Sequence, residues 1–128
     1  IIATDHAPHH RDEKEVEYNL ADFGISGFET AFSLSYTNLV KTGRLTLEEL
    51  VYKLSTGPAK ILGVEGGHLE VGVSGDITMV DIEKEYIIDR ETFKSKGKNT
   101  PFHGKKVQGQ VLYTIVEGKI VYDNGKII

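Results

Sequence analysis

Cysteine is absent from the sequence, and so are a basic stripe and any long apolar run. Without cysteine there is neither a disulfide framework nor a thiolate metal site, and this agrees with a reducing cytoplasm. The 128 residues carry a net charge of −4, which argues against a nucleic-acid partner. Apolar runs fall far short of the roughly 20 residues that span a bilayer, and no signal peptide is visible. We expect a cytoplasmic protein that binds neither nucleic acid nor membrane.

An initial methionine is also missing, and the chain starts with Ile1-Ile2-Ala3-Thr4. These residues have the composition of a buried strand. We therefore expect the sequence to be part of a longer protein. The length suits one domain, and 39% hydrophobic residues allow a folded core. A lysine-rich stretch, residues 94–106, follows acidic residues and has no aromatic ladder, which predicts a solvated loop.

Helical spacing of apolar residues predicts a helix over residues 26–42 after a polar loop at 11–25. Ser26 is its expected N-cap, with Glu29 three residues on, and Gly43 its expected end. The apolar positions are Phe28, Ala31, Phe32, Tyr36, Leu39 and Val40.

Thr46 and Glu49 form a second capping pair, which predicts a helix over residues 46–54. Gly57-Pro58 is expected to break the chain before a short third helix, which ends at Leu62. Gly63 is expected to close it.

Beyond Gly63 glycines become frequent and β-branched residues common. Residues 76–82 predict a strand with Ile77 and Met79 buried and Val80 as a third candidate, and residues 83–109 read as mostly polar and irregular. Residues 111–117 and 119–122 predict a hairpin, and Asn124-Gly125 predicts a type I′ turn before the last two residues. The order of strand, helices and β-rich tail is that of a closing unit of an α/β structure.

A carboxylate and three imidazoles lie within six positions directly after the first predicted strand: Asp5, His6, His9 and His10. Such groups suit a hydrolytic metal site, and residues just past a barrel strand face the active-site mouth. Pro8 keeps this segment out of a helix, so His6 and His10 need not share a face. The alternative is a polar loop whose histidines bond to the backbone.

The stretch Ile2-Ala3-Thr4-Asp5-His6-Ala7-Pro8-His9 closely resembles the last barrel-strand motif of dihydroorotases in the amidohydrolase superfamily. The likeness continues in order through nearly the whole chain, at residues 13–14, 22–31, 54–63, 72–78, 100–102 and 118–119. It implies the last βα unit and carboxy-terminal helices of a (β/α)₈ barrel at residues 1–62. Residues 63–128 are then the carboxy-terminal strands of a small β-sandwich domain.

The resemblance also implies residue roles. Asp5 would ligate zinc and act as the catalytic proton shuttle, and His9 would contact the carboxylate of the substrate. Phe23-Gly24 would hold the pyrimidine edge through backbone groups, and Gly24 lets a ligand approach closely. His6 and His10 receive no catalytic role. The implied reaction is reversible cyclisation of N-carbamoyl-L-aspartate to L-dihydroorotate.

The remaining metal ligands and substrate clamps of that family have no counterpart in these 128 residues. We therefore expect neither turnover nor tight zinc binding from this chain alone. Open barrel and sandwich edges lead us to expect self-association. Alternatives are a piece of a hydantoinase or allantoinase, or a non-catalytic, dihydroorotase-like partner of aspartate carbamoyltransferase. Some dihydroorotases associate with that enzyme, so it is also a conceivable partner of an active parent.

Overall fold

Helical segments fill the first half of the chain and strands the second, and the computed structural model describes all of residues 1–128. A short helix, α1 (Arg11–Lys14), lies inside the predicted loop. The helical segment α2 (28–40) runs through a 3₁₀ turn, an α-helix and a π-helix, at Phe28–Thr30, Ala31–Ser35 and Tyr36–Val40. The segment α3 (47–62) joins α-helix Leu47–Val51, π-helix Tyr52–Thr56 and α-helix Gly57–Leu62. None of these helices is long and apolar enough to cross a membrane.

The two predicted capping pairs have opposite outcomes. At α3 the Thr46 hydroxyl accepts from the Glu49 N–H at 3.1 Å, and the Glu49 carboxylate accepts from the Thr46 N–H at 2.8 Å. The predicted cap of α2 is wrong, because Gly27 and not Ser26 is the residue before the helix, and glycine has no side chain to cap it. Ser26 and Glu29 bond instead to residues more than 60 positions away.

Gly57-Pro58 does not break the chain, so the predicted gap between the second and third helices is also wrong. Proline lacks an N–H, and its ring clashes with the carbonyl four residues earlier in a regular α-helix. The wider π turn just before Gly57 relieves that conflict. Gly63 ends α3, as predicted, and has the left-handed conformation.

The strands form one antiparallel sheet in the order β1-β2-β3-β4. They are β1 (Ile77–Ile87), β2 (Lys106–Val116), β3 (Lys119–Asp123) and β4 (Lys126–Ile127). Both predicted turns are present, with positive φ at Glu117-Gly118 and at Asn124-Gly125. Residues 83–87 and 106–109 are strand and not loop. Met79, predicted as buried, is 49% exposed, while Ile77 and Val80 of the same strand are half-buried.

The strand predicted at residues 1–4 is not formed. Only one isolated parallel bridge, between His6 and Ile25, pairs this segment with another, and the Ile2 N–H bonds to the Lys53 carbonyl. A strand needs a neighbour along its length, and none lies beside these residues. The barrel therefore stays a prediction, while the mixed helix and antiparallel-sheet architecture is what the chain adopts.

The core lies where α2 packs on the sheet. Ile88, Phe93 and Val107 are buried together, with Leu34, Tyr86 and Phe102 packed around them. Phe32 and Tyr36 stack with ring centroids 5.9 Å apart and cover Gly109 of β2. Phe28 does not join this face as predicted. It is 66% exposed and stacks on the His6 ring at 3.9 Å.

Gly109 tests this helix-to-sheet contact. Its φ is +93°, and an added Cβ would lie 2.9 Å from Phe32 Cε1, while Gly125 has φ +95° and no atom within 4 Å of its Cβ position. Both Gly→Ala changes cost about 1–2 kcal/mol of backbone strain. We expect Gly109→Ala to cost about 1–3 kcal/mol more from overpacking. Urea unfolding measures both, and equal destabilisation would contradict the packing described.

Candidate active site

The predicted site residues lie on two loops that touch each other, residues 5–9 and 22–27. The Ala7 N–H donates to the Ile25 carbonyl at 3.0 Å, next to the bridge between His6 and Ile25. Gly24 has φ +138°, and a Cβ there would fall 2.3 Å from the Ala7 carbonyl oxygen. Only glycine therefore allows the two backbones to approach this closely.

Asp5 occupies the start of the first loop, with a left-handed φ of 44°. Its side chain is exposed and forms no hydrogen bond or ion pair within the chain. A carboxylate without an internal partner is free to bind a ligand. Zinc sites need about four ligands, and Asp5 supplies one of them, so the residues present fit one position and not a closed zinc cage.

His9 also has a left-handed φ, of 54°, and its ring lies against two acids. Its Nδ1 is 3.5 Å from Glu13 Oε2 and 3.7 Å from Asp22 Oδ2, while its Nε2 forms no hydrogen bond within the chain. The His10 N–H, which donates to the Glu13 carboxylate, lowers the pKa of Glu13, and His9 acts in the same direction. Glu13 and Asp22 therefore orient the ring through its Nδ1 edge.

Ligand atoms of His9, Glu13 and Asp22 all lie within 4.8 Å of one another and could together hold a metal ion. Asp5 is not part of this group. The Lys14 ammonium contacts the Asp22 carbonyl beside it, and Arg11 is close by on α1, so the surroundings disfavour a cation. Orientation of His9 is the better account of these two acids.

Phe23-Gly24 is the exposed tip of the second loop. The Phe23 side chain is 95% exposed. The N–H groups of Phe23 and Gly24, and the Phe23 carbonyl, form no hydrogen bond within the chain. The Gly24 carbonyl, in contrast, accepts from Asn99 Nδ2 at 2.7 Å and from Lys14 Nζ at 3.3 Å. The dipeptide thus offers free backbone donors and an acceptor on an anchored loop.

His6 contacts the start of α2 and the loop at residues 95–99 through its two ring nitrogens. Its Nδ1 accepts from the N–H groups of Gly27 and Phe28, at 3.0 and 3.3 Å, and its Nε2 is 3.5 Å from Ser95 Oγ. Both ring nitrogens are therefore engaged inside the protein, which is a structural use of this histidine. His10 is exposed and caps α1 by accepting from the Asp12 N–H.

Glu29 joins the loops to the second half of the chain. Its Oε1 accepts from the Ser95 N–H at 2.7 Å, and its Oε2 is buried with no partner. Burial is the largest single effect and raises the pKa of Glu29, but hydrogen bonds from the Ser95 backbone and side chain and from its own backbone, with the charge of His6, together outweigh it. The net effect is a lowered pKa. This contact could not be expected from the sequence, since the two residues are 66 positions apart.

The loop at residues 95–99, part of the lysine-rich stretch predicted to be solvated, forms the third side of the site. Lys96 is exposed and Lys98 is half-buried. The backbone of the loop packs on the motif, and a Cβ on Gly97 would lie 2.4 Å from Pro8 Cβ. A cleft of about 560 Å³ separates this loop from α1. The cleft is lined by residues of both signs, with basic ones in excess: Arg11, Lys14, Arg90, Lys96, Lys98, Glu15 and Glu91.

The amidohydrolase family model matches residues 1–121. The chain therefore belongs to the amidohydrolase family, and the resemblance predicted from its motifs is confirmed at this level.

Closer relatives are dihydroorotases. The chain is 57% identical over 121 residues to the dihydroorotase of Acetivibrio thermocellus and 49% identical over 128 residues to that of Bacillus subtilis. These alignments cover 94% and 100% of the chain but only 28% and 30% of the relatives. The chain thus spans less than a third of the length of the curated relatives that it matches.

Solved structures with the same fold include cyclic amide hydrolases. The L-hydantoinase of Arthrobacter aurescens superposes with a TM-score of 0.79 at 35% identity, over 84% of this chain and 24% of that one. The dihydropyrimidinase of Brevibacillus agri gives a TM-score of 0.84 at 25% identity, over 92% and 27%. The sequence identity of the chain to these two solved structures is lower than its identity to the dihydroorotases.

Gly24 tests whether the two loops depend on close contact. Gly66 is a matched control, since its φ is +137° and nothing lies within 4 Å of its Cβ position. We expect Gly24→Ala to shift the amide resonances of Ala7 and His9. It should also lower stability by about 1–3 kcal/mol more than Gly66→Ala does. Unmoved resonances together with equal melting temperatures would contradict the contact.

Proposed function

We propose that this chain is the carboxy-terminal part of a zinc-dependent dihydroorotase. The parent would interconvert N-carbamoyl-L-aspartate and L-dihydroorotate in pyrimidine biosynthesis. The proposal is supported by 57% and 49% identity to two dihydroorotases over 94% and 100% of the chain. The observation that carries it is the unpartnered Asp5 carboxylate at the start of the loop whose Ala7 and His9 lie against Gly24. We further propose that residues 1–62 complete the barrel and residues 63–128 complete the sandwich.

Asp5 is proposed to hold and move the proton. A zinc ion bound at this carboxylate would supply a Lewis acid and activate the attacking water. The Asp5 carboxylate accepts the proton of that water and delivers it to the ring nitrogen as the amide bond breaks. In the cyclisation direction, the same carboxylate takes the proton of the attacking nitrogen and returns it to the departing water.

His9 is proposed to orient the anionic substrate. Glu13 and Asp22 lie on the Nδ1 side of its ring, and it donates through Nε2 to the substrate carboxylate. The free backbone groups of Phe23-Gly24 pair with the cyclic amide edge. These contacts hold the ring beside Asp5 equally before and during the chemical step, so they contribute to substrate affinity.

A hydantoinase-type parent is the second candidate, since hydantoinases are among the solved structures that share the fold. Substrates of the two classes differ in one group that this chain would contact, because dihydrouracil lacks the carboxylate of dihydroorotate. A carboxylate contact at His9 predicts that His9→Asn weakens binding of dihydroorotate but not of dihydrouracil. The higher identity to dihydroorotases favours the first candidate.

A chimera tests the proposed function. Residues 1–128 replace the matching 30% of the Bacillus subtilis dihydroorotase, which aligns over the whole chain. We expect the chimera to hydrolyse dihydroorotate and Asp5→Asn to lower kcat by at least about 10³-fold, as loss of a combined ligand and proton carrier should. Asp12→Asn, an exposed acid of the same segment, is the control. An Asp5→Asn chimera that keeps its activity would contradict the assignment of Asp5 as ligand and proton carrier.

Self-association of the isolated chain is a separate proposal. Large apolar side chains at the end of α3 and just after it are more than half exposed: Ile61, Leu62, Val64, Leu69 and Val71. Contiguous exposed apolar residues mark interaction surfaces. We expect sedimentation velocity to show a dimer or larger species, and Leu62→Glu with Leu69→Glu to dissociate it. A monomer at micromolar concentration would refute this proposal.

An aspartate carbamoyltransferase partner is proposed only for the parent, and co-sedimentation would test it.

A further inference from the structure

We propose that Lys14 and Asn99 are positioning residues that present the Phe23-Gly24 backbone to the substrate. The inference rests on the proposed function for its ligand, but it is carried by contacts within the chain. Both side chains donate to carbonyl groups that flank the exposed tip. Lys14 belongs to the family resemblance at residues 13–14, but sequence reasoning gave neither residue a role.

Lys14 reaches from α1 to two carbonyls of the loop. Its ammonium donates to the Asp22 carbonyl and, at 3.3 Å, to the Gly24 carbonyl. It forms no ion pair with any carboxylate, although acids surround it. An exposed lysine normally keeps its charge in water. Here the charge is directed at backbone oxygens, which makes these bonds stronger than neutral ones.

Asn99 holds the other side of the same turn. Its Nδ2 donates to the Gly24 carbonyl at 2.7 Å, and its own carbonyl accepts from the Ser26 N–H at 2.7 Å. Ser26 is fully buried, and its hydroxyl donates to the Gly97 carbonyl, also at 2.7 Å. Residues 24 and 26 are thereby tied to one residue of the distant loop.

Because peptide groups are planar, the hydrogen bonds to the Asp22 and Gly24 carbonyls also orient the unpaired backbone groups of Phe23-Gly24. In a trans peptide the C=O and the following N–H point in opposite directions, and the chain has no cis peptide. Lys14 draws the Asp22 carbonyl inward, so the Phe23 N–H points away from the ammonium. Lys14 and Asn99 fix the Gly24 carbonyl in the same way. The peptide group formed by the Phe23 carbonyl and the Gly24 N–H lies between these two fixed peptide groups. Its own carbonyl and N–H form no hydrogen bond within the chain.

A purely structural role would lower stability without changing substrate affinity selectively. The positioning role predicts a different pattern. In the chimera described above, Asn99→Asp keeps the size of the side chain but places a carboxylate oxygen against the Gly24 carbonyl. Lys14→Met keeps the apolar stem and removes the donors. We expect each to raise KM for dihydroorotate about tenfold and to leave kcat within about twofold, as loss of an orienting contact does.

Matched controls are Asn19→Asp and Lys41→Met. Both residues are exposed, and neither side chain forms a hydrogen bond or ion pair. They are expected to leave KM unchanged. Because Lys14 and Asn99 share one acceptor, the double variant should raise KM by a factor different from the product of the single effects. A kcat loss equal to the KM change, or KM values like those of the controls, would overturn the proposal.

Amide resonances of the 128-residue chain give a readout that needs no activity. Asn99→Asp and Lys14→Met should each shift the resonances of Phe23 and Gly24, while the two control variants should not. If these resonances stay in place, the positioning role is wrong, whatever the chimera does. If they shift but the unsubstituted chimera is inactive, the proposed function is wrong, while the role of Lys14 and Asn99 in positioning the loop is supported.

Discussion

The site depends on hydrogen bonds between loops that are far apart in the sequence. Residues 5–9 and 22–27 have almost no strand ladder of their own, so their backbone groups must find partners elsewhere. The loop at 95–99 supplies many of them: Ser26 bonds to Asn99 and Gly97, and Glu29 accepts from Ser95. The sheet that carries this loop is therefore a structural part of the site, since the motif would otherwise lose these partners.

Local signals in the sequence predicted local structure well. The capping pair Thr46 and Glu49 and the turns at Glu117-Gly118 and Asn124-Gly125 each involve residues at most three positions apart. Their stabilising bonds form within one turn of chain, so neighbouring residues decide the outcome. The site motif could be found for another reason, namely its resemblance to a family, and the family is confirmed along residues 1–121.

Failures occurred where a distant partner competed with a local one. Ser26 and Glu29 have the spacing of a capping pair, yet both side chains bond to the loop at 95–99. The lysines of that loop indicated solvent, and Lys96 is exposed, but Lys98 is half-buried and Gly97 between them packs on Pro8. Pro58 indicated a break, and a π turn absorbed it. None of these partners is visible within a window of neighbouring residues.

Backbone strain gives an independent reason to place function at the two loops. Four non-glycine residues have positive φ, and two of them, Glu117 and Asn124, lie in type I′ turns that require it. Asp5 and His9 lie in no such hairpin turn, so their left-handed conformations must be maintained by the surrounding contacts. Strain of this kind costs of order 1–3 kcal/mol per residue and clusters at functional sites. Both residues also keep side-chain groups without an internal partner, and this combination of strain and unpaired groups is the physical basis for the binding site proposed at these loops.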